Sequence, residues 1–168
     1  MSFNIKKKNI FLNLMFISTI FFLDRISKIY VVELAQKNID INIYISKYLN
    51  INLIWNKGIA FGLMSFDQTS SYNILTYIII GITLLVFILS LKSNGLKRYG
   101  LLSIFAGSLG NVYDRINFSA VPDFIDFHIN EFHWFIFNVA DIFITAGVIV
   151  MIMTEFIDNH NRDLNEKI

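Results

Sequence analysis

The stretch that decides the fold is Tyr72–Leu91, YNILTYIIIGITLLVFILSL, which contains no charged residue. A membrane-spanning helix needs about 20 consecutive, mostly apolar residues, so this stretch predicts a span. The composition of the whole chain agrees, since its 168 residues are 55% hydrophobic and only 16% charged. A soluble domain carries more charge than this. We therefore predict an α-helical integral membrane protein.

Three further apolar segments accompany this span. We expect one membrane domain over residues 1–168 with four transmembrane helices, at about 10–30, 72–91, 99–114 and 134–156. The third and fourth segments are rich in small residues, which allow membrane helices to approach closely. These residues are Gly100, Ala106, Gly107, Ser108, Gly110, Ala140, Ala146 and Gly147.

The basic residues predict the orientation of the spans. Lys6, Lys7 and Lys8 precede the first span, and Lys92, Lys97 and Arg98 fill the connection between the second and third. Both groups are expected in the cytoplasm by the positive-inside rule. Four spans then place both termini there. The first segment begins like a secretory signal, but no small-x-small cleavage site follows it, so we expect an uncleaved anchor.

Two connections are then expected on the outer side. The first, over residues 33–71, includes Asn38–Trp55, where isoleucine alternates with polar residues from Ile39 to Ser46. This pattern indicates either strands or a segment at the membrane interface. The second, over residues 116–133, is aromatic-rich and is predicted to be a loop at the membrane surface. It contains Asp123 and Asp126, and acidic residues in a loop are ordinarily solvated.

Composition also excludes several kinds of site. The net charge of +1 gives no support for a nucleic-acid partner. The absence of cysteine excludes disulfides, thiolate metal sites and a cysteine nucleophile. There is no His-Glu-x-x-His helix, so we expect no metal at the site, and we expect His128 and His133 at the membrane interface. No cofactor is predicted.

Polar side chains interrupt the apolar segments at their outer ends. They form three groups, and a polar residue in a membrane segment is a candidate for function. The groups are Asp24 with Lys28; Asn111 with Asp114 and Arg115; and Asn138 with Asp141.

A carboxylate pair is the chemistry that these residues favour. Two aspartates in a poorly hydrated site share one proton, so that one can activate water while the other donates to a carbonyl. Asp141 is one natural member, and its partner is Asp114 or Asp123, between which spacing does not choose. Structural interpretations compete: Asp24–Lys28 as an ion pair at headgroup level, and Asp114–Arg115 as a local pair.

The sequence closely resembles the lipoprotein signal peptidases (signal peptidase II), the prolipoprotein-processing aspartic proteases of bacterial membranes. Five segments carry this resemblance in chain order, from the first span to the start of the last. They are Asp24–Lys28 (DRISK), Asn56–Gly62 (NKGIAFG), Gly107–Arg115 (GSLGNVYDR), Val121–Phe127 (VPDFIDF) and Phe137–Asp141 (FNVAD).

The resemblance implies a catalytic dyad of Asp123 and Asp141. It further implies a small extramembrane β-sheet, and cleavage of the signal peptide just before a diacylglyceryl-modified cysteine on the outer side of the bacterial cytoplasmic (inner) membrane. The expected partners are modified prolipoproteins and membrane lipids, and the protein is expected to be a monomer. Residues expected to bind substrate or support the site are Asp24, Lys28, Asn56, Gly58, Asn111, Asp114, Arg115, Asn138 and Ala140.

Two positions depart from the family pattern. Pro122 stands where valine is usual, and its fixed φ is expected to alter the loop. Arg25 stands where an uncharged residue is common.

A small proton-coupled transporter or channel is the competing hypothesis, with Asp24, Asp114 and Asp141 as a relay. A relay should distribute its acids along a path. The second span has no acid and the inner halves of the others are apolar, which favours a one-sided site.

Overall fold

The computed structural model describes residues 7–37, 42–58, 69–130 and 132–165, which form four helices and one antiparallel sheet of four strands. The predicted alternation over Ile39–Ile41 lies outside these residues. In chain order the elements are α1 (Lys7–Lys37), β1 (Asn42–Ser46), β2 (Leu49–Asn56), α2 (Thr69–Lys92), α3 (Gly95–Phe118), β3 (Val121–Ile129), β4 (Phe132–Phe137) and α4 (Val139–Asn165).

Three of the described helices are long and apolar enough to cross a membrane: Ile10–Lys37, Tyr72–Lys92 and Val139–Asp158. The predicted third span falls in α3, which is not among them because it carries many small and polar residues. α3 is nevertheless the central helix, since α1, α2 and α4 all pack against it. Its buried residues include Asp114 and Arg115.

The prediction that the fourth span begins at residue 134 was wrong. Residues 134–137 belong to β4, where Phe135 pairs with Phe127 and Phe137 with Ile125 of β3. Aromatic residues favour a pleated sheet that can bury one face. α4 therefore begins only at Val139, and Asp141 lies in its first turn.

The predicted surface loop over residues 116–133 is also wrong. α3 continues to Phe118, and the rest pairs as β3 and β4 with the strands of the first connection, in the order β1-β2-β3-β4. The strand periodicity predicted there is confirmed for β1 and β2. Pro122 fits this sheet because β4 pairs with β3 only from Ile125 onward, so no strand of the described residues pairs with the other side of Pro122.

Glycines bring α3 and α4 into close contact, as their small residues predict. A Cβ on Gly107 would lie 2.5 Å from the backbone oxygen of Ala140, and one on Gly147 would lie 2.6 Å from that of Gly100. One turn further along α3, a Cβ on Gly110 would lie 2.5 Å from the Asp24 carboxylate and 3.7 Å from the Ala140 Cβ. These contacts bring α1, α3 and the start of α4 together.

Candidate active site

The two aspartates of the predicted dyad come from different elements. Asp123 lies on β3 and Asp141 in the first turn of α4, and both are buried, with 3% and 6% of their surface exposed. Among the described residues, no lysine or arginine forms an ion pair with either carboxylate. Their hydrogen bonds come from amides, so each carboxylate is held without a neutralising charge.

Asn138 holds both carboxylates at once. Its side-chain Nδ2 donates to Oδ1 of Asp123 at 2.6 Å, and its backbone N–H donates to Oδ2 of Asp141 at 3.2 Å. The Asp141 backbone N–H donates in return to the Asn138 Oδ1, also at 3.2 Å. This reciprocal pair is a capping box at the start of α4. The local signal that begins the helix therefore also positions the two aspartates.

Asn56 completes the contacts of Asp123 from the end of β2. Its Nδ2 donates to Oδ2 of Asp123 at 2.8 Å, while its Oδ1 accepts from the Gly58 N–H at 2.7 Å in an Asx turn. These two bonds fix which way the amide points. The remainder of the matching motif, residues 59–62, lies outside the described part of the chain.

Burial, and after it the nearby charge of Asp141, together raise the pKa of Asp123 to about 6. The amides of Asn56 and Asn138 oppose this shift, because they donate to the ionised form. Asp123 therefore gains or loses its proton close to neutral pH. A carboxylate of this kind can serve in proton transfer.

A second cluster of charges lies between α1 and α3. We call Asp24, Arg25, Lys28 and Asp114 the ion-pair cluster. Arg25 donates to both oxygens of Asp114, at 2.5 and 2.7 Å, and to Asp24 at 2.8 Å. The Lys28 Nζ lies 2.7 Å from Asp114 and 3.0 Å from Asp24. All four residues are buried, so two carboxylates and two cations balance within the membrane domain.

Asn111 and Ala140 join this cluster to the aspartate pair. The Asn111 Oδ1 accepts from Lys28 at 2.8 Å, and its Nδ2 donates to Oδ1 of Asp141 at 2.9 Å. The Ala140 N–H donates to Asp24 at 3.0 Å, so a carboxylate meets the positive end of α4. The cluster thereby fixes the helix turn that carries Asp141.

The structure changes three interpretations of these residues. Asp114 pairs with Arg25 and Lys28 rather than with the adjacent Arg115. The Asp24–Lys28 pair is buried within the protein rather than exposed to lipid headgroups, and Asp123 is buried in a strand rather than solvated in a loop. Arg25, which sequence reasoning treated only as a departure, is the bidentate partner of Asp114. The sequence feature that could have indicated this role is that Asp24 has a second cation, Arg25, directly beside it in addition to Lys28.

Arg115 points away from this cluster. It donates to the backbone oxygen of Gly58, and its guanidinium carbon lies 5.6 Å from the ring centre of Tyr72. Its Nε and Nη1 are buried and have no hydrogen-bond partner within the described residues.

The acids converge at one place in the fold instead of following a path. Asp24 and Asp114 share the same two cations. The side-chain amide of Asn111 connects Asp141 to one of these cations, Lys28. This arrangement suits one compact site better than the relay of a transporter.

Comparisons with known proteins show the family of this chain. A family model described as signal peptidase (SPase) II matches residues 16–157. A protein named lipoprotein signal peptidase from Pelagibacter ubique (strain HTCC1062) is 48% identical over 97% of this chain and 98% of its own length. One of the same name from Anaplasma phagocytophilum (strain HZ) is 41% identical over 79% of this chain and 84% of its own.

Solved structures described as bacterial membrane enzymes have the same fold. One superposes with a TM-score of 0.71 at 29% identity, covering 89% of this chain and 90% of that chain. Another has a TM-score of 0.68 at 28% identity, covering 85% and 91%. The buried aspartates, the five matching segments and these relatives agree: the chain belongs to the signal peptidase II family of membrane aspartic proteases.

Proposed function

We propose that this protein removes the signal peptide of diacylglyceryl-modified prolipoproteins, cutting just before the lipidated cysteine, with Asp123 and Asp141 as its catalytic pair. One observation carries the assignment of the pair: these two buried carboxylates receive hydrogen bonds from Asn56, Asn111 and Asn138 but pair with no cation of the described residues. The substrate class is supported by the relatives, which are named lipoprotein signal peptidases.

In the proposed reaction Asp123 holds the proton and Asp141 is ionised. Asp141 takes a proton from water as the water oxygen attacks the scissile carbonyl carbon, and Asp123 gives its proton to the carbonyl oxygen. When the C–N bond breaks, Asp141 passes its proton to the leaving nitrogen and Asp123 recovers one from the hydroxyl group. The pair returns to its starting state, and a pKa of Asp123 near 6 suits this role.

Arg115 and an apolar groove are the proposed contacts of the substrate. The Nε and Nη1 of Arg115 supply two N–H donors that the described residues leave unused, and peptide or ester carbonyls would accept from them. A groove of about 440 Å³ opens beside Asp141 and is suited to alkyl groups. It is lined by Phe135, Phe137, Asp141, Ile142, Thr145, Ala146 and Ile149.

We propose that α3 is a fourth transmembrane span. Its 24 residues extend over roughly 36 Å at 1.5 Å per residue, more than the hydrocarbon thickness of about 30 Å. Its polar residues are no obstacle, because Asp114 and Arg115 face other elements of the protein rather than lipid. Asn111 likewise donates to α4.

We propose further that both termini are cytoplasmic in the bacterial inner membrane and that the aspartate pair and sheet lie on the outer side. Lys92, Lys97 and Arg98 mark the cytoplasmic end of α2 and α3, and Asp114 lies at the far end of α3. Since the chain has no cysteine, single substitutions can be labelled cleanly. An impermeant thiol reagent should label Ile129→Cys in intact spheroplasts and Lys97→Cys only after lysis; the reverse pattern would overturn this orientation.

The site needs no second copy of the chain, because one chain supplies both aspartates and all their described donors. This is consistent with a monomer.

The test of function compares two precursors that share one signal helix, with and without the diacylglyceryl group. Acyl chains contribute about 0.8 kcal/mol per buried methylene, so both must be fully reconstituted with the enzyme in vesicles before rates are compared. We expect cleavage of the modified precursor and very slow cleavage of the other. Equal rates would show that the lipid is not recognised, and cleavage of neither would overturn the proposed function.

A further inference from the structure

Three ligand-bearing side chains meet at the far end of the β3–β4 hairpin, away from the aspartate pair. Asp126, His128 and His133 each offer one carboxylate oxygen or ring nitrogen, and these atoms lie within 4.8 Å of one another. Asp126 and His128 are both buried, whereas the side chain of His133 is 52% exposed.

The sheet itself places these three residues together. Asp126 and His128 are two apart on β3 and share a face, and His133 of β4 lies opposite His128. The register shifts between Phe127 and His128, which leaves Trp134 as an extra residue on β4. Bulges of this kind redirect side chains and are common beside functional sites.

Each histidine shows a separate sign of a site. The His133 Nδ1 lies 2.7 and 2.9 Å from the two oxygens of Asp126. The His128 Nδ1 is buried, and within the described residues it has no hydrogen-bond partner. A buried polar atom without a partner is costly. A cation coordinated at this nitrogen would remove that cost.

We infer that Asp126, His128 and His133 form a binding site for a divalent transition-metal ion of the zinc type. Two imidazoles and one carboxylate suit zinc better than magnesium or calcium, which prefer oxygen ligands alone. Three protein ligands leave one position for water. The ion would cross-link the hairpin that carries Asp123 on one strand and leads through the other into Asn138 and Asp141. It would stabilise the hairpin and would take no part in the proposed proton transfers.

The test is a zinc titration of the full-length protein, purified in detergent without a polyhistidine tag and stripped of metal. We expect one ion per chain and a melting temperature that rises with zinc concentration. His133→Ala should weaken binding by at least 10- to 100-fold, since even an outer-shell partner is worth that much. His133 is half exposed, so this variant should fold; His160→Ala, near the end of α4, is the matched control and should bind as wild type.

Copper(II) provides an independent readout, because imidazole nitrogens give couplings in its electron paramagnetic resonance spectrum. These couplings should be reduced in His133→Ala and unchanged in His160→Ala. Absence of stoichiometric zinc binding, or equal affinity in wild type and a folded His133→Ala, would overturn the site. Neither readout requires substrate, so this inference and the peptidase proposal can fail separately. Chelation should lower the melting temperature of the zinc-loaded protein while cleavage continues.

Discussion

The ion-pair cluster and the aspartate pair place four buried carboxylates in one membrane domain under opposite conditions. Asp24 and Asp114 are bonded to Arg25 and Lys28, whereas Asp123 and Asp141 receive amide donors. A paired carboxylate has its charge balanced and serves to fix geometry. A buried carboxylate held only by amides shares a proton with its neighbour, because two adjacent charges are expensive there. Under the proposed function, the difference in partners, more than burial, separates the structural aspartates from the catalytic ones.

The largest effect should come from removing one member of the aspartate pair. Asp123→Asn and Asp141→Asn should each lower kcat by about 10⁴-fold or more, because the pair acts as one unit. Melting temperatures should stay close to wild type. Cleavage assays and thermal unfolding on the same preparations check this, with the exposed Asp158→Asn of α4 as a fully active control. Near-normal turnover in either variant would contradict the assignment of Asp123 and Asp141 as the catalytic pair.

The ion-pair cluster should respond in the opposite way. Asp114→Asn leaves Arg25 and Lys28 buried beside a single carboxylate, and breaking a buried pair costs about 3–5 kcal/mol. We expect a large fall in the free energy of unfolding, with activity lost through misfolding. The matched control is Glu155→Gln, which removes the exposed pair with Lys97 and should cost about 1 kcal/mol or less. A stable but inactive Asp114→Asn beside an active Asp123→Asn would exchange the two roles.

The pH dependence of cleavage sharpens the role of Asp123. Its pKa is raised to about 6, and the proposed reaction needs its proton. Activity should therefore be present below this pH and lost above it, so kcat/KM should fall about tenfold per pH unit once the pH exceeds 6. Rates measured at substrate concentrations well below KM give kcat/KM, whose pH dependence reports the pKa values of the free enzyme. A profile that stays flat through this range would show that Asp123 does not supply the proton.

Asn111 connects the ion-pair cluster to the aspartate pair, and its substitution should have the smallest effect on activity and stability. Asn111→Ala removes one donor from Asp141 and one acceptor from Lys28. We expect about a tenfold loss of kcat and about 1–2 kcal/mol of stability, the cost of leaving buried partners unsatisfied. Asn117→Ala, which changes an exposed asparagine of the same helix, should alter neither. If Asn111→Ala loses stability but keeps its cleavage rate, Asn111 has only a structural role.

Local spacing was enough to predict the contacts that lie within or between regular helices. The i, i+4 spacing of Asp24 and Lys28 predicts their ion pair, which forms at 3.0 Å. The small residues of α3 and α4 predict the close approach seen at Gly107 and Gly147. These follow from helix geometry and need no knowledge of the rest of the fold.

Contacts that depend on strand pairing or long separation could not be predicted in this way. Residues 134–137 are apolar enough to suggest the start of a span, and only their pairing with β3 makes them part of a strand. That pairing also buries Asp123, which sequence alone places in a solvated loop. Arg25 and Asp114 are 89 positions apart, and no local pattern joins them. The choice of Asp123 over Asp114 therefore came from family resemblance.

Infrared spectroscopy of the carboxyl groups tests the central difference most directly. A protonated aspartic acid has a C=O band that disappears on ionisation, and we expect one such band to titrate near the Asp123 pKa of about 6. It should be absent from Asp123→Asn and unchanged in Asp158→Asn. A band that persists in Asp123→Asn, or no protonated carboxyl group below that pH in the wild type, would contradict the account.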